Sequence, residues 1–190
     1  MAIEVEQKFP LDDMAAVEHE LKELGTRLGK SQAQVDCYFA HPQRDFAETD
    51  EAFRLRRVGA LTYLTFKGPK LDATSKTRQE IEVPLASGDQ PASDAAELFE
   101  ALGFRRVLEV RKDRRNASLE WQGFKVEVAL DHVVDLGDFV ELEITADEQS
   151  RDDALSSLNA LAKRLNLSKS ERRSYLELLL EHQAQHEGEG

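Results

Sequence analysis

Apolar and charged residues alternate along much of the chain, and this period of two predicts β-strands. In the segment 3–9, Ile3, Val5 and Phe9 fall on one side and charged residues fall on the other. Residues 78–84 repeat the arrangement. The charged positions of the two segments are Glu4, Glu6, Lys8, Arg78, Glu80 and Glu82. A strand rises about 3.3 Å per residue, so such charges follow one another on one face at steps of roughly 7 Å.

The same patterns predict eight strands and four helices. The predicted strands cover residues 3–9, 34–39, 53–58, 61–66, 78–84, 104–119, 124–130 and 139–145. Helices with one apolar face are predicted after caps at Asp12 or Asp13 and at Ser93, around Leu155–Leu165, and after a cap at Ser170. Residues 70–76 are expected to form a polar, mobile loop after a strand that ends at Gly68-Pro69.

Two tight turns place further charges on a common face. Gly59-Ala60 predicts a two-residue hairpin loop in which Arg54 lies opposite Thr65 and Arg56 opposite Tyr63. Lys67 then joins the face of the two arginines. A turn at residues 122–123 likewise places Glu127 on one face with Lys112, Arg114 and Asn116.

The order of elements indicates an α+β fold. Residues 3–67 and 78–144 each contain a charged strand, a helix ending in Leu-Gly, and three more strands. We therefore predict two similar half-sheets that close into an antiparallel barrel or tunnel, with helices covering the apolar face that includes Ile81 and Val83. The expected domain covers residues 1–181, followed by a polar, frayed tail at 182–190.

Composition narrows the class of protein. The formal net charge of -12 argues against nucleic-acid binding through a broad basic surface. Cys37 is the only cysteine, so a disulfide within the chain is excluded. No apolar run has the length of a membrane span, and we expect a cytoplasmic protein without a membrane partner.

The charges of the predicted strands suggest a phosphate site. Arginine and lysine bind phosphate oxygens, and carboxylates bind a hard divalent ion that bridges them. Ion pairs across the barrel are the structural alternative for each residue. The positions collected on the charged face are Glu4, Glu6, Lys8, Arg54, Arg56, Lys67, Arg78, Glu80, Glu82, Lys112, Arg114, Glu127, Glu141 and Glu143.

These motifs resemble the CYTH superfamily, the triphosphate tunnel metalloenzymes. Residues 4–8 match its E-x-E-x-K signature, and further matches fall at residues 36–39, 53–57, 65–69, 78–82 and 136–143. The resemblance covers about residues 2–180. It implies an eight-stranded antiparallel barrel whose tunnel binds a triphosphate together with Mg²⁺ or Mn²⁺.

The resemblance also implies roles for the charged residues. Glu4, Glu6, Glu141 and Glu143 would bind metal, and Glu80, Glu82 and Glu127 would be tunnel acids that contribute to substrate binding. The implied phosphate-binding residues are Lys8, Arg54, Arg56, Lys67, Arg78, Lys112 and Arg114. Among all of these, the implied catalytic residues are Glu4, Glu6, Lys8, Lys67 and Arg114.

Within the superfamily, the chain is most similar to the class IV adenylyl cyclases. Segments 36–39, 137–143 and 174–179 resemble that branch, whereas residues 112–116 lack the aromatic that often follows its basic pair. The implied activity is conversion of ATP to cyclic AMP and pyrophosphate. The alternatives are an inorganic or thiamine triphosphatase and a non-catalytic polyphosphate or nucleotide sensor. The expected partner is a small-molecule triphosphate, and a homodimer is an option.

Overall fold

Eight antiparallel strands form a closed barrel, which confirms the predicted fold class. The computed structural model describes residues 3–70 and 78–187. The strands are β1 (Ile3–Leu11), β2 (Gln32–Ala40), β3 (Ala52–Val58), β4 (Leu61–Lys70), β5 (Arg78–Pro84), β6 (Arg105–Trp121), β7 (Phe124–Val133) and β8 (Gly137–Ala146). The helices are α1 (Met14–Glu23), α2 (Asp89–Ala101), α3 (Arg151–Arg164) and α4 (Tyr175–Glu187).

The strand order around the barrel is β1-β5-β4-β3-β2-β6-β7-β8. This order contains two three-strand meanders, β2-β3-β4 and β6-β7-β8, as expected for two similar half-sheets. The first strand of each sequence half pairs with the last strand of the other half. Leu24 and Leu102 end the helices at matching points, and the glycines that follow them adopt positive φ angles of 78° and 91°. A residue with a Cβ atom rarely adopts this conformation.

The described chain forms two compact units, each with its own apolar core. The first contains β1, α1, the second half of β6, β7, β8 and α3. Its helix α3 buries Leu158 and Leu161 against the apolar face that includes Val5, Leu142 and Ile144. Burial of each such side chain contributes about 1.5–3 kcal/mol.

The second unit contains β2 to β4, nearly all of β5, α2, the first half of β6 and α4. Phe99 of α2 packs edge-on against two strand residues, with ring centroids 5.4 Å from Phe39 and 4.9 Å from Phe53. Charged side chains alternate with these core residues along β2 and β3, so they lie on the face opposite to α2.

Several predicted boundaries were wrong. Helix α2 begins at Asp89 after Gly88 rather than after Ser93, because Pro91 fits the first helical turn, where its missing N–H costs no hydrogen bond. Helix α4 begins after Ser174 rather than Ser170. Ser174 accepts a hydrogen bond from the Glu177 N–H at 3.1 Å and donates its own N–H to the Glu177 carboxylate at 2.5 Å, forming a capping box.

Further differences concern segment ends. Strand β4 continues through Gly68-Pro69 to Lys70, and the predicted mobile loop at 71–76 lies outside the described residues. Residues 182–187 continue α4 rather than fray, and 188–190 are not described. The single domain over 1–181 stays a prediction. No helix within residues 3–70 and 78–187 is long and apolar enough to cross a membrane.

The prediction that helices cover Ile81 and Val83 was wrong. These β5 side chains are 49% and 47% exposed. The physical reason is that α2 packs against β3 and its buried residues join a core that does not include the apolar side chains of β5.

Candidate phosphate and metal site

Three cations of the second unit lie on one strand face, and we call Arg54, Arg56 and Lys67 the cationic cluster. The β3–β4 register places Arg54 opposite Thr65 and Arg56 opposite Tyr63, as predicted. Lys67 follows Thr65 by two residues and therefore shares its face. Glu80 joins the cluster, 2.5 Å from the Lys67 Nζ and 3.6 Å from an Arg54 nitrogen.

A buried carboxylate, Asp36 of β2, sits beside the two arginines. It faces Arg56 directly across the β2–β3 pair and accepts two hydrogen bonds from it, each 2.7 Å long. An Arg54 nitrogen lies 3.5 Å from Asp36 Oδ2, the oxygen that also accepts a hydrogen bond from Arg56 Nη2. Asp36 belongs to the family motif at residues 36–39 but was not among the predicted site residues. Alternation with the buried Cys37 would have located it on the charged face.

Opposing effects act on the ionisation of Asp36. Burial favours the neutral acid, but the charges of Arg54 and Arg56 and the Arg56 hydrogen bonds outweigh it and hold the pKa well below its ordinary value. For Arg54, burial likewise opposes the charge, whereas Asp36, Tyr38 and Glu80 raise its pKa above the ordinary value. Both groups are therefore charged at neutral pH.

In the first unit, Glu6, Glu127 and Glu143 form an acidic row. Glu143 of β8 lies opposite Glu6 of β1 on one side and opposite Glu127 of β7 on the other. Directly opposed residues point to the same face of a sheet. Glu127 is the most exposed of the three and also pairs with Lys125 at 2.6 Å.

Arg114 is the centre of a second ion-pair group in this unit. It donates two hydrogen bonds to Asp131, at 2.6 Å and 2.5 Å, and a third to Glu141. The Asp131 side chain is fully buried. Asp131 was not among the predicted site residues, because the predicted strand ended at Leu130 whereas β7 continues to Val133. Residues 127, 129 and 131 alternate onto one strand face, so Asp131 shares the face of Glu127.

Lys8 and Lys112 are both buried cations. Lys8 lies opposite Glu141 in the β1–β8 register, and its Nζ is 5.6 Å from the centre of the Phe139 ring. In the second unit, the Lys112 Nζ lies 4.9 Å from the centre of the Tyr175 ring. An aromatic face supports a nearby cation by about 0.5–2 kcal/mol. Each ammonium is therefore held partly by an aromatic ring.

The remaining predicted site residues, Glu4, Arg78 and Glu82, lie on β1 and β5. Arg78 pairs with Glu4 in the β1–β5 register. Glu82 accepts a hydrogen bond from the Thr65 hydroxyl at 3.3 Å. The structure therefore brings every predicted site residue onto a strand, while the roles assigned to them stay predictions.

The acidic residues fit a hard divalent ion by donor chemistry, since carboxylate oxygens are the ligands that Mg²⁺ and Mn²⁺ prefer. Glu6 and Glu143 share a cross-strand row, whereas one oxygen of Glu141 is engaged by Arg114. Among residues 3–70 and 78–187, no three His, Cys, Asp or Glu side chains are gathered closely enough to hold an ion by themselves.

By its fold, the protein is a closed β-barrel. It carries a cationic cluster whose charges suit phosphate oxygens, and carboxylates whose oxygens suit a divalent ion. The CYTH domain family matches residues 2–175, and the chain belongs to this family. Membership supports an enzyme that acts on small triphosphate substrates, and the triphosphate tunnel enzymes of the family are metal-dependent.

Two curated relatives extend the comparison. A Methanocaldococcus jannaschii protein named as a candidate adenylate cyclase is 41% identical over 179 residues, covering 93% of this chain and 98% of the relative. Adenylate cyclase CyaB from Aeromonas hydrophila is 33% identical over 178 residues, covering 90% of this chain and 86% of the relative.

Solved structures agree in fold. The PH1819 protein from Pyrococcus horikoshii has a TM-score of 0.82 at 38% identity, covering 94% of this chain and 98% of that chain. A Hippeastrum protein described as having a dominant triphosphatase activity has a TM-score of 0.63 at 19% identity, covering 94% of both chains. The second likeness concerns the fold alone.

Proposed function

We propose that this protein is a class IV adenylate cyclase that converts ATP to cyclic AMP and pyrophosphate with Mg²⁺ or Mn²⁺. The observation that carries the proposal is that 90% of this chain aligns, at 33% identity, with an adenylate cyclase, CyaB of Aeromonas hydrophila. The cationic cluster supports it, because a triphosphate needs several fixed positive charges along its length.

The triphosphate is held by side chains. Arg54 and Lys67 share Glu80 as a partner and present their remaining N–H groups to phosphate oxygens. Such charge-assisted hydrogen bonds contribute about 1.5–3 kcal/mol each. Arg114 and Lys8 belong to the first unit and are proposed to stabilise negative charge that develops on phosphate oxygens.

The proposed reaction is an in-line substitution at the α-phosphorus. The ribose 3′-oxygen forms a bond to this phosphorus and loses its proton to water. The bond from the α-phosphorus to the oxygen that bridges the α- and β-phosphates breaks. Pyrophosphate leaves with the bonding electron pair. Glu4, Glu6, Glu141 and Glu143 would contribute carboxylate oxygens to a divalent ion, which would supply neutralisation of phosphate charge. Fixed cations that hold the β- and γ-phosphates favour departure of pyrophosphate as a unit.

A triphosphatase is the second candidate, and the Hippeastrum protein that shares the fold is described as having a dominant triphosphatase activity. Hydrolysis would use the same cations but direct a water molecule at the terminal phosphorus. The charges serve both reactions, so the attacking oxygen distinguishes them.

Product analysis tests the proposal. The protein is incubated with ATP, tripolyphosphate or thiamine triphosphate, each with Mg²⁺ or Mn²⁺, and the products are separated by anion-exchange chromatography. A cyclase yields cyclic AMP and pyrophosphate from ATP and no orthophosphate from tripolyphosphate. Orthophosphate without any cyclic product refutes the cyclase and supports the triphosphatase. Tight triphosphate binding without any product supports the sensor.

A matched pair of variants connects the activity to the cationic cluster. Lys67→Ala removes a cluster cation and should lower activity tenfold or more. Arg57→Ala removes the neighbouring arginine of β3, which is 47% exposed and pairs with Asp89 outside the cluster. It should retain activity, and equal losses in both variants would contradict the assignment.

A further inference from the structure

We propose that Asp36 is a positioning residue that gives the two arginines of the cationic cluster different roles. It holds Arg56 in one orientation and leaves Arg54 as the guanidinium that binds a phosphate group. The inference rests on the proposed function, because it requires a polyphosphate in the cluster.

The contacts of Arg56 are short and paired. Its Nε and Nη2 each donate to a different oxygen of Asp36 at 2.7 Å. This is the fork geometry in which an arginine binds a carboxylate most firmly. Two of the three nitrogens are thus committed to Asp36, and the exposed fractions of the two side chains are 15% and 2%. The plane of Arg56 is therefore fixed by two of its five N–H groups.

The contacts of Arg54 are longer and divided. Its terminal nitrogens lie 3.4 Å from the Tyr38 hydroxyl, 3.5 Å from Asp36 and 3.6 Å from Glu80. Its Nε is buried and has no hydrogen-bond partner among the residues that the structure describes. A buried N–H without a partner loses about 1–3 kcal/mol of hydration, which an incoming acceptor would recover. Arg54 is therefore held less firmly than Arg56 and keeps one N–H without a partner in the described part of the chain.

Charge balance gives Asp36 a second effect. One carboxylate lies between two guanidinium groups and is also stabilised by the charge of Lys112. Replacing it with a neutral group makes the cluster one unit more positive and releases the Arg56 fork. The first change strengthens attraction for a polyphosphate, and the second disorders the geometry that catalysis requires.

These effects predict an unusual kinetic signature for Asp36→Asn, which keeps the side-chain size. The kcat for ATP should fall tenfold or more, while the dissociation constant for tripolyphosphate stays the same or decreases. Arg54→Ala should instead raise that dissociation constant tenfold or more. Arg56→Ala should resemble Asp36→Asn in its loss of kcat, while it raises the tripolyphosphate dissociation constant less than Arg54→Ala does because it removes one positive charge but no direct phosphate contact. The double variant Asp36→Asn/Arg56→Ala should lose little more kcat than either single variant.

The experiment combines calorimetry of tripolyphosphate binding, steady-state kinetics and arginine side-chain NMR on the full chain. In the wild type, the Arg54 Nε–H signal should shift on addition of tripolyphosphate, and the Arg56 Nε–H signal should exchange slowly with water and shift little. Asp36→Asn should make exchange at Arg56 faster. Asp89→Asn, which removes the exposed partner of Arg57, is the matched control and should match the wild type.

Two results would overturn the inference. One is a loss of tripolyphosphate affinity in Arg56→Ala equal to or greater than that in Arg54→Ala. The other is a loss of affinity in Asp36→Asn with kcat unchanged. Either result leaves the cyclase intact if cyclic AMP still forms. If the protein binds tripolyphosphate but forms no cyclic AMP, only the proposed cyclase activity is overturned. The NMR and calorimetric results then test the different roles of Arg54 and Arg56 without kinetics.

Discussion

Replacing Arg114 with methionine should destabilise the protein strongly. The substitution removes the charge and its hydrogen bonds but keeps a long apolar stem. It leaves the fully buried Asp131 carboxylate without the two bonds of 2.6 Å and 2.5 Å, and it also removes a partner of Glu141. Breaking a buried ion pair from one side costs about 3–5 kcal/mol, because the other charge remains buried.

The expected change in melting temperature follows from the size of the chain. For proteins of this length, 1 kcal/mol lowers the melting temperature by about 2–4 °C. Arg114→Met should therefore melt roughly 6–20 °C below the wild type. The measurements are thermal and urea unfolding followed by circular dichroism at neutral pH.

Arg57→Met is the matched control. Its partner Asp89 has a side chain that is 90% exposed, and exposed pairs contribute about 0–1 kcal/mol. A double variant, Arg114→Met/Asp131→Asn, should recover part of the lost stability because the buried Asp131 charge is gone as well. If Arg114→Met melts no lower than Arg57→Met, the reasoning from buried charge is refuted.

Two further predictions concern metal and pH. Glu6→Gln should abolish most of the metal-dependent activity and raise the Mn²⁺ concentration needed for half-maximal rate. Glu109→Gln, outside the acidic row, is the control and should change neither quantity. An unchanged Mn²⁺ titration of Glu6→Gln would contradict the metal role. Because the pKa of Asp36 is lowered in the folded state, its carboxylate contributes stability above the unfolded value of about 3.9 that is lost as pH falls towards the folded value. In urea unfolding, the free energy of unfolding of the wild type should exceed that of Asp36→Asn by a constant amount from pH 7 to about 5, and this difference should shrink between about pH 4 and 3. A difference that is undiminished at pH 3 would contradict the prediction.

Local pattern was sufficient for most elements of the fold. Alternation with a period of two placed the charges of β1, β3, β4 and β8 on common faces, and the Gly59-Ala60 turn set the β3–β4 register. These features depend on neighbouring residues and on the geometry of one tight turn, so they are visible in a single sequence. The family motifs then indicated an eight-stranded barrel and a triphosphate.

The partners of the charged residues required the tertiary structure. Asp36 meets Arg56 across strands joined by residues 41–51, and Asp131 meets Arg114 across a long pair of strands whose ends the sequence placed too early. A loop of that length permits several registers, and each shift by one residue exchanges the two faces. The sequence by itself determined which residues are charged and which alternate. Only the tertiary structure decided which carboxylate neutralises which arginine, because that choice depends on strand order and burial rather than on local spacing.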